Sequence, residues 1–307
     1  MVIKKILGKK KKAQTFTIMA LALIFLLMIT AGIITKTDNR RTIQKRVSTL
    51  DTFLFSVEEN LERQMYIAGF RTVFLTNDQI TKTGQYIDVI KFFNESIFNG
   101  SVNGEAQQIM IGATFNDSVY SINEKAKKIG AIVEFSNVSI KISQDDPWNI
   151  KISLNVSIKM KDKTNLAEWE KEKIIVTYIP ITGFEDPVYI VNTNSRITHK
   201  INKTIYEGQY NSPISNLLEH TQKGYYTENT DAPSFLKRLE GDLSASPYGI
   251  ESLVDLSALS QQGLPTQTKS VVDHIYFNST NNPSSSQIAG MPTWFRLDNA
   301  HKPKYNL

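Results

Sequence analysis

The sequence has no cysteine and only four histidines in 307 residues. Without cysteine, disulfides and thiolate metal sites are excluded. The fold must therefore rest on burial of apolar area, which a chain of this length can supply. The histidines, His199, His220, His274 and His301, never stand in a metal-spaced pair such as H-x-x-x-H. A G-x-S-x-G elbow, a Walker loop and a dinucleotide fingerprint are also missing. Neither proline nor glycine interrupts residues 33–68, so nothing there breaks a helix.

One segment is uncharged throughout. Phe16 to Ile34 is a run of nineteen such residues, and at about 1.5 Å of rise each it spans a hydrocarbon core of roughly 30 Å. Directly before it stand Lys4, Lys5, Lys9, Lys10, Lys11 and Lys12. Basic flanks resist translocation, which predicts a cytoplasmic N-terminus, a single span through residues 16–34 and an extracellular remainder. The whole chain carries 35 Lys+Arg against 30 Asp+Glu; without those six lysines the count is 29 against 30. The basicity is thus topogenic, and no nucleic-acid partner is expected. A second basic group, Lys36, Arg40, Arg41, Lys45 and Arg46, follows the span.

Lys11-Lys12-Ala13-Gln14 places two cations and a small residue before the apolar run, whereas an ordinary secretory signal is cut beyond a shorter apolar core. This arrangement resembles the class III signal of archaeal type IV pilin-like proteins. The resemblance implies cleavage between Ala13 and Gln14, with the apolar helix retained as the mature N-terminus. The fifth mature position, often Glu in assembling pilins, is Ile18 here, a departure from the pattern associated with polymerisation. A plain uncleaved signal anchor is the simpler alternative.

The helix is expected to continue past the membrane. Ile43, Val47, Leu50, Leu54, Val57 and Leu61 recur at alternating steps of four and three, the stripe of a helix packed on a layer. Phe53, Phe55, Phe70 and Phe74 are read as widening that stripe, and the helix as ending near Ala68. Short helices are predicted over Tyr86–Phe98 and Ser118–Lys128, with a strand over Gln108–Phe115 between them. Trp148–Lys161 alternates apolar and polar residues without a break, which marks a half-buried strand. Its partners are expected at Ile132–Ser143, with a bulge near Ser136, and at Lys171–Ile181. Asp145-Asp146-Pro147 forms the first turn, and Val188–Asn192 is read as a fourth strand. Beyond Tyr206, helices are predicted at Ser215–His220, Ala232–Glu240 and Ile250–Ser260, a strand at Ser270–Phe277, and a docked aromatic segment at Met291–Leu297.

The predicted class is α+β: a long N-terminal membrane-spanning helix continuing into a soluble helix packed on an antiparallel β-meander, with a mixed C-terminal lobe. The corresponding segments are a leader (1–13), a transmembrane helix (14–35), an amphipathic helix (36–75), an α+β domain (76–205) and the lobe (206–307). Seven Asn-X-Ser/Thr sequons, at Asn94, Asn99, Asn116, Asn137, Asn155, Asn202 and Asn278, suit an N-glycosylated cell-surface protein.

Chemistry is harder to find. Asp273-His274 in a strand would point to opposite faces; Asp298 and His301 could come together on one helical turn, the alternative being a solvated or locally hydrogen-bonded loop. Asp145-Asp146 and Glu168, Glu170 and Glu172 lack the ligand pattern of a calcium loop. Tyr225-Tyr226 and Trp294-Phe295 offer a glycan platform or buried anchors. The expectation is therefore no catalytic residues, no metal site, no cofactor, and no two histidines within joint reach of one metal. Partners would be the lipid bilayer through residues 16–34 and other pilin-like subunits. The alternatives are a tethered ectodomain binding a glycan, an envelope component or a partner protein, and an anchored hydrolase.

Overall fold

The computed structural model describes the backbone of residues 2–307 and the side chains of residues 16–307; the processing positions Ala13 and Gln14 lie outside the described side chains. Its first element is one helix, α1 (Val2–Thr83), about 120 Å long at 1.5 Å per residue. From Phe16 to Ile34 its large apolar side chains are between 47% and 74% exposed, and this helix is long and apolar enough to cross a membrane. Past residue 45 the character changes. Leu50, Leu54, Val57, Leu61, Met65, Ala68, Val73 and Ile80 are all buried, at the spacing of one helix face. The helix ends fifteen residues later than the predicted Ala68, because this apolar face carries on through Ile80 before Gly84 adopts a left-handed conformation (φ 65°).

That face packs on a three-stranded antiparallel meander. After α2 (Val89–Asn99), the short hairpin β1 (Ser101–Val102) and β2 (Glu105–Ala106), and α3 (Phe115–Lys128), come β3 (Ala131–Asp146), β4 (Asn149–Asp162) and β5 (Glu168–Pro180), in spatial order β3-β4-β5. The inward positions of β4, from Ile150 through Ile152, Leu154, Val156 and Ile158 to Met160, are buried, as the alternation requires. The expected bulge is present as a register shift between Ser136 and Ser139, with Asn137 at φ 51°. At Gly69 the helix lies close against the sheet: an added Cβ would lie 2.5 Å from Ile152 Cδ1.

The remaining elements form the C-terminal lobe and its link to the meander. They are α4 (Pro187–Asn192), β6 (Asn202–Lys203), α5 (Ser215–Lys223), β7 (Tyr225–Glu228), α6 (Phe235–Glu240), β8 (Ile250–Ser252), α7 (Leu256–Gln261), α8 (Asp273–Tyr276), β9 (Ser285–Gln287) and β10 (Arg296–Asp298). β6-β7-β8 is a small mixed sheet and β9-β10 a hairpin. A second apolar core, built on Tyr210, Leu217, Leu253, Val272, Phe295, Leu297 and Tyr305, fills the lobe. Trp148 Nε1 donates to Glu228 Oε1 at 2.6 Å and Leu236 N to Gln144 Oε1 at 2.9 Å, joining lobe to meander.

Several predicted elements are corrected. Gln108–Phe115 is a 3-10 turn (Gln108–Met110) followed by the start of α3; Thr114 forms a capping box with Asp117 that begins the helix at Phe115. Val188–Asn192 is helical, because Asp186 caps Val188 N and Pro187 occupies the first turn. Ile250–Ser260 divides into β8 and α7, separated where Asp255 accepts from Ser257 N and Ala258 N. Ser270–Phe277 is one bridge, Val272 to Leu253, followed by α8. Phe55, Phe70 and Phe74 do not widen the buried stripe; they are 62%, 41% and 52% exposed.

Candidate functional site

The densest buried polar arrangement lies in the C-terminal lobe, where β8, α8 and the turn after β10 converge. Glu251 sits on β8, paired with Thr227 of β7, and is fully buried. Its carboxylate accepts from Tyr305 OH (2.9 Å) and Asn229 Nδ2 (2.5 Å). The next residue, Ser252, donates through both N and Oγ to Asp273 Oδ2, at 2.9 and 2.7 Å, which fixes α8 against β8. His274 follows Asp273 on α8.

The third segment turns on Asp298. Its Oδ1 accepts from Ala300 N (3.0 Å) and His301 N (3.2 Å), a side-chain-capped turn that folds His301 back over the carboxylate. His301 Nδ1 then lies 2.8 and 2.9 Å from the two Asp298 oxygens, and Ser270 Oγ donates to Oδ2 at 2.7 Å. Asp298 and His301 therefore do meet, buried rather than in a solvated loop. His301 Nε2 points to Glu251 Oε2 at 3.3 Å, without the alignment of a hydrogen bond. The rings of His274 and His301 are 5.6 Å apart, centroid to centroid. One ligand atom from each of Glu251, His274 and His301 lies within 4.8 Å of the others. This corrects the expectation that no two histidines come within joint reach of one metal.

Electrostatics follow from burial. Burial alone would lower the His301 pKa, but the neighbouring Asp298 and Glu251 carboxylates prevail and raise it to about 10. Burial would likewise raise Glu251, yet His301 and His274 hold it below its usual range. Beside this cluster, Arg238 is wholly buried and pairs with Asp186 Oδ2 (2.6 Å) and Asp273 Oδ2 (3.0 Å). Its Nη2 also donates to Ile250 O, and Tyr226 OH donates to Asp186 at 2.7 Å. Burial leaves the Asp186 carboxyl raised, with Arg238 opposing.

The other sequence candidates are scattered. His220 is buried and its Nδ1 lies 3.0 Å from Thr204 Oγ1; the His199 ring stacks on Tyr189 at 4.0 Å. Asp145 pairs with Lys151, and Glu168 with Lys159, on the surface. Tyr226 and Phe295 are buried anchors. Among the sequons, Asn99, Asn116, Asn137 and Asn155 are exposed, and Asn94, Asn202 and Asn278 half-buried. Asn94 and Asn116 already donate their amide nitrogens to Ile90 O and Phe98 O. Sequence reasoning missed Glu251 and its approach to both histidines. The 3-residue spacing of Asp298 and His301 was the one visible signal, and the rest is long-range folding.

Comparison with protein-family models, with curated proteins and with solved structures finds no match.

Proposed function

We propose that the chain is an exported, membrane-anchored, pilin-like structural or assembly subunit, with its N-terminus cytoplasmic and the meander and lobe outside the cell. The observation that carries this reading is the uninterrupted α1. One helix offers an exposed apolar run at residues 16–34 and then serves as the spine of an α+β domain. A rigid helix that is both anchor and core couples the domain to the bilayer without a flexible linker.

A second feature favours contact between subunits. Phe55, Tyr66, Phe70 and Phe74 are all exposed on α1, at steps of eleven, four and four, which place them on one face. Such a row outside the bilayer suits packing against a neighbouring chain.

The test is the mature N-terminus of membrane-extracted protein, read by intact mass. A start at Gln14 supports the pilin-like reading. A start at Met1 or Val2 favours a plain signal anchor carrying a ligand-binding ectodomain, and a start after Ala31 would make the protein freely secreted.

A further inference from the structure

We propose that Glu251, His274 and His301 form a binding site for one divalent transition-metal ion of the zinc type. This site does not depend on the membrane reading, since all three residues belong to the lobe.

Four observations on the geometry support it. First, the three donor atoms lie within 4.8 Å of one another. Around zinc, with ligands at about 2.0–2.2 Å, donors stand roughly 3.5 Å apart, so modest ring rotations close the site. Second, His274 Nδ1 and His301 Nε2 make no hydrogen bond although each residue is only 5% exposed. His301 Nε2 faces Glu251 Oε2 at 3.3 Å and His274 Nδ1 faces Asp273 Oδ1 at 3.4 Å; a buried nitrogen left without an aligned hydrogen bond is costly, and a ligand on His301 Nε2 relieves that. Third, the outer contacts are those that orient metal ligands. Asp298 holds His301 through Nδ1 and is itself held by Ser270, which leaves Nε2 directed inward; Tyr305 and Asn229 hold Glu251. Fourth, this part of the lobe buries four carboxylates, of which Asp186 and Asp273 share the Arg238 guanidinium while Glu251 and Asp298 face His301. A divalent cation bound to neutral imidazoles would balance the Glu251 and Asp298 carboxylates in place of the His301 proton.

The donor set selects the ion. Two imidazoles and one carboxylate suit zinc and its first-row neighbours, whereas calcium and magnesium prefer all-oxygen shells. Three protein ligands leave a fourth position for water or an external oxygen donor. The ligands come from β8, α8 and the turn after β10, so the ion would tie together three segments distant in sequence and stabilise the lobe.

The test uses the untagged full chain in detergent, stripped with a chelator, confirmed folded by circular dichroism and titrated with Zn²⁺ by calorimetry. The expected result is uptake of one ion per chain, a higher melting temperature, and, with Co²⁺ instead, the visible absorption of a four-coordinate site. His274→Gln should abolish uptake, because it removes one of the three ligands. Asp298→Asn, which disturbs a positioning residue, should weaken affinity roughly 10–100-fold. A folded, stripped wild-type chain that takes up no Zn²⁺ would overturn the proposal and leave His301 as a cation bridging two carboxylates. Uptake unchanged by both substitutions would overturn it equally.

Discussion

Arg46 reaches from α1 to Asp162 at the end of β4, its Nη2 2.5 Å from Oδ1, and donates from the same nitrogen to Gly130 O at 2.9 Å. By sequence Arg46 belongs to the basic group behind the span; in the fold it pins the helix to the sheet. Asp162 is fully buried and also accepts from Thr164. The Thr164 hydroxyl first, and then Arg46, hold the Asp162 pKa down to about 2 against burial.

Arg46→Ala leaves that carboxylate buried with its ion-pair partner gone, and should cost roughly 1–3 kcal/mol. Thermal melts should show the loss at pH 7 and show it fading below about pH 4. A folded pKa below the unfolded value gives stability that is present above the unfolded pKa and lost as pH falls towards the folded one. Lys45→Ala, at an exposed neighbour, should change little.

Leu54→Ala tests the buried stripe of α1. Leu54 is 6% exposed, and truncating a buried leucine costs about 2–5 kcal/mol. In a chain beginning at residue 36 the melting temperature should drop clearly, while Glu59→Ala, on the exposed face, should leave it in place. Equal and negligible effects would mean that α1 does not pack on β4.

Gly69→Ala sets two effects against each other. Alanine favours a helix by about 1 kcal/mol over glycine, but its Cβ would meet Ile152 Cδ1 at 2.5 Å and Ile179 Cγ1 at 3.0 Å. Overpacking costs about 1–3 kcal/mol, so the net result should be a loss of stability in denaturant titration, and a larger one for Gly69→Leu. A stabilised Gly69→Ala chain would show that the helix lies farther from the sheet.

His220 makes the lobe acid-sensitive. It is wholly buried between Tyr210 and Tyr305, and burial lowers its pKa to about 4 from an ordinary 6.5. Between those values the unfolded chain binds the proton and the folded one does not. The contribution of His220 to stability should therefore be complete above about pH 6.5 and fall as pH drops towards 4, by about 1.4 kcal/mol for each pH step of one between the two values. His220→Phe should reduce that slope without abolishing it, because burial lowers the His199 pKa to about 4 as well; an unchanged slope would assign the acid sensitivity to other groups.

Local pattern determined much of this protein. The uncharged run 16–34, the stripe from Leu50 to Leu61, the alternation along β4 and the bulge near Ser136 all appear in the fold where the periodicity puts them, because each depends on neighbours a few residues apart. The misread segments Val188–Asn192 and Ser270–Phe277 are short, so their spacing does not separate strand from helix. There the caps and the packing of the lobe decide. Tertiary structure alone brings Glu251, His274 and His301 together and aims Arg46 at Asp162. Those pairs are separated by tens of residues in the chain, and no local periodicity encodes contacts that exist only once two cores have closed around them.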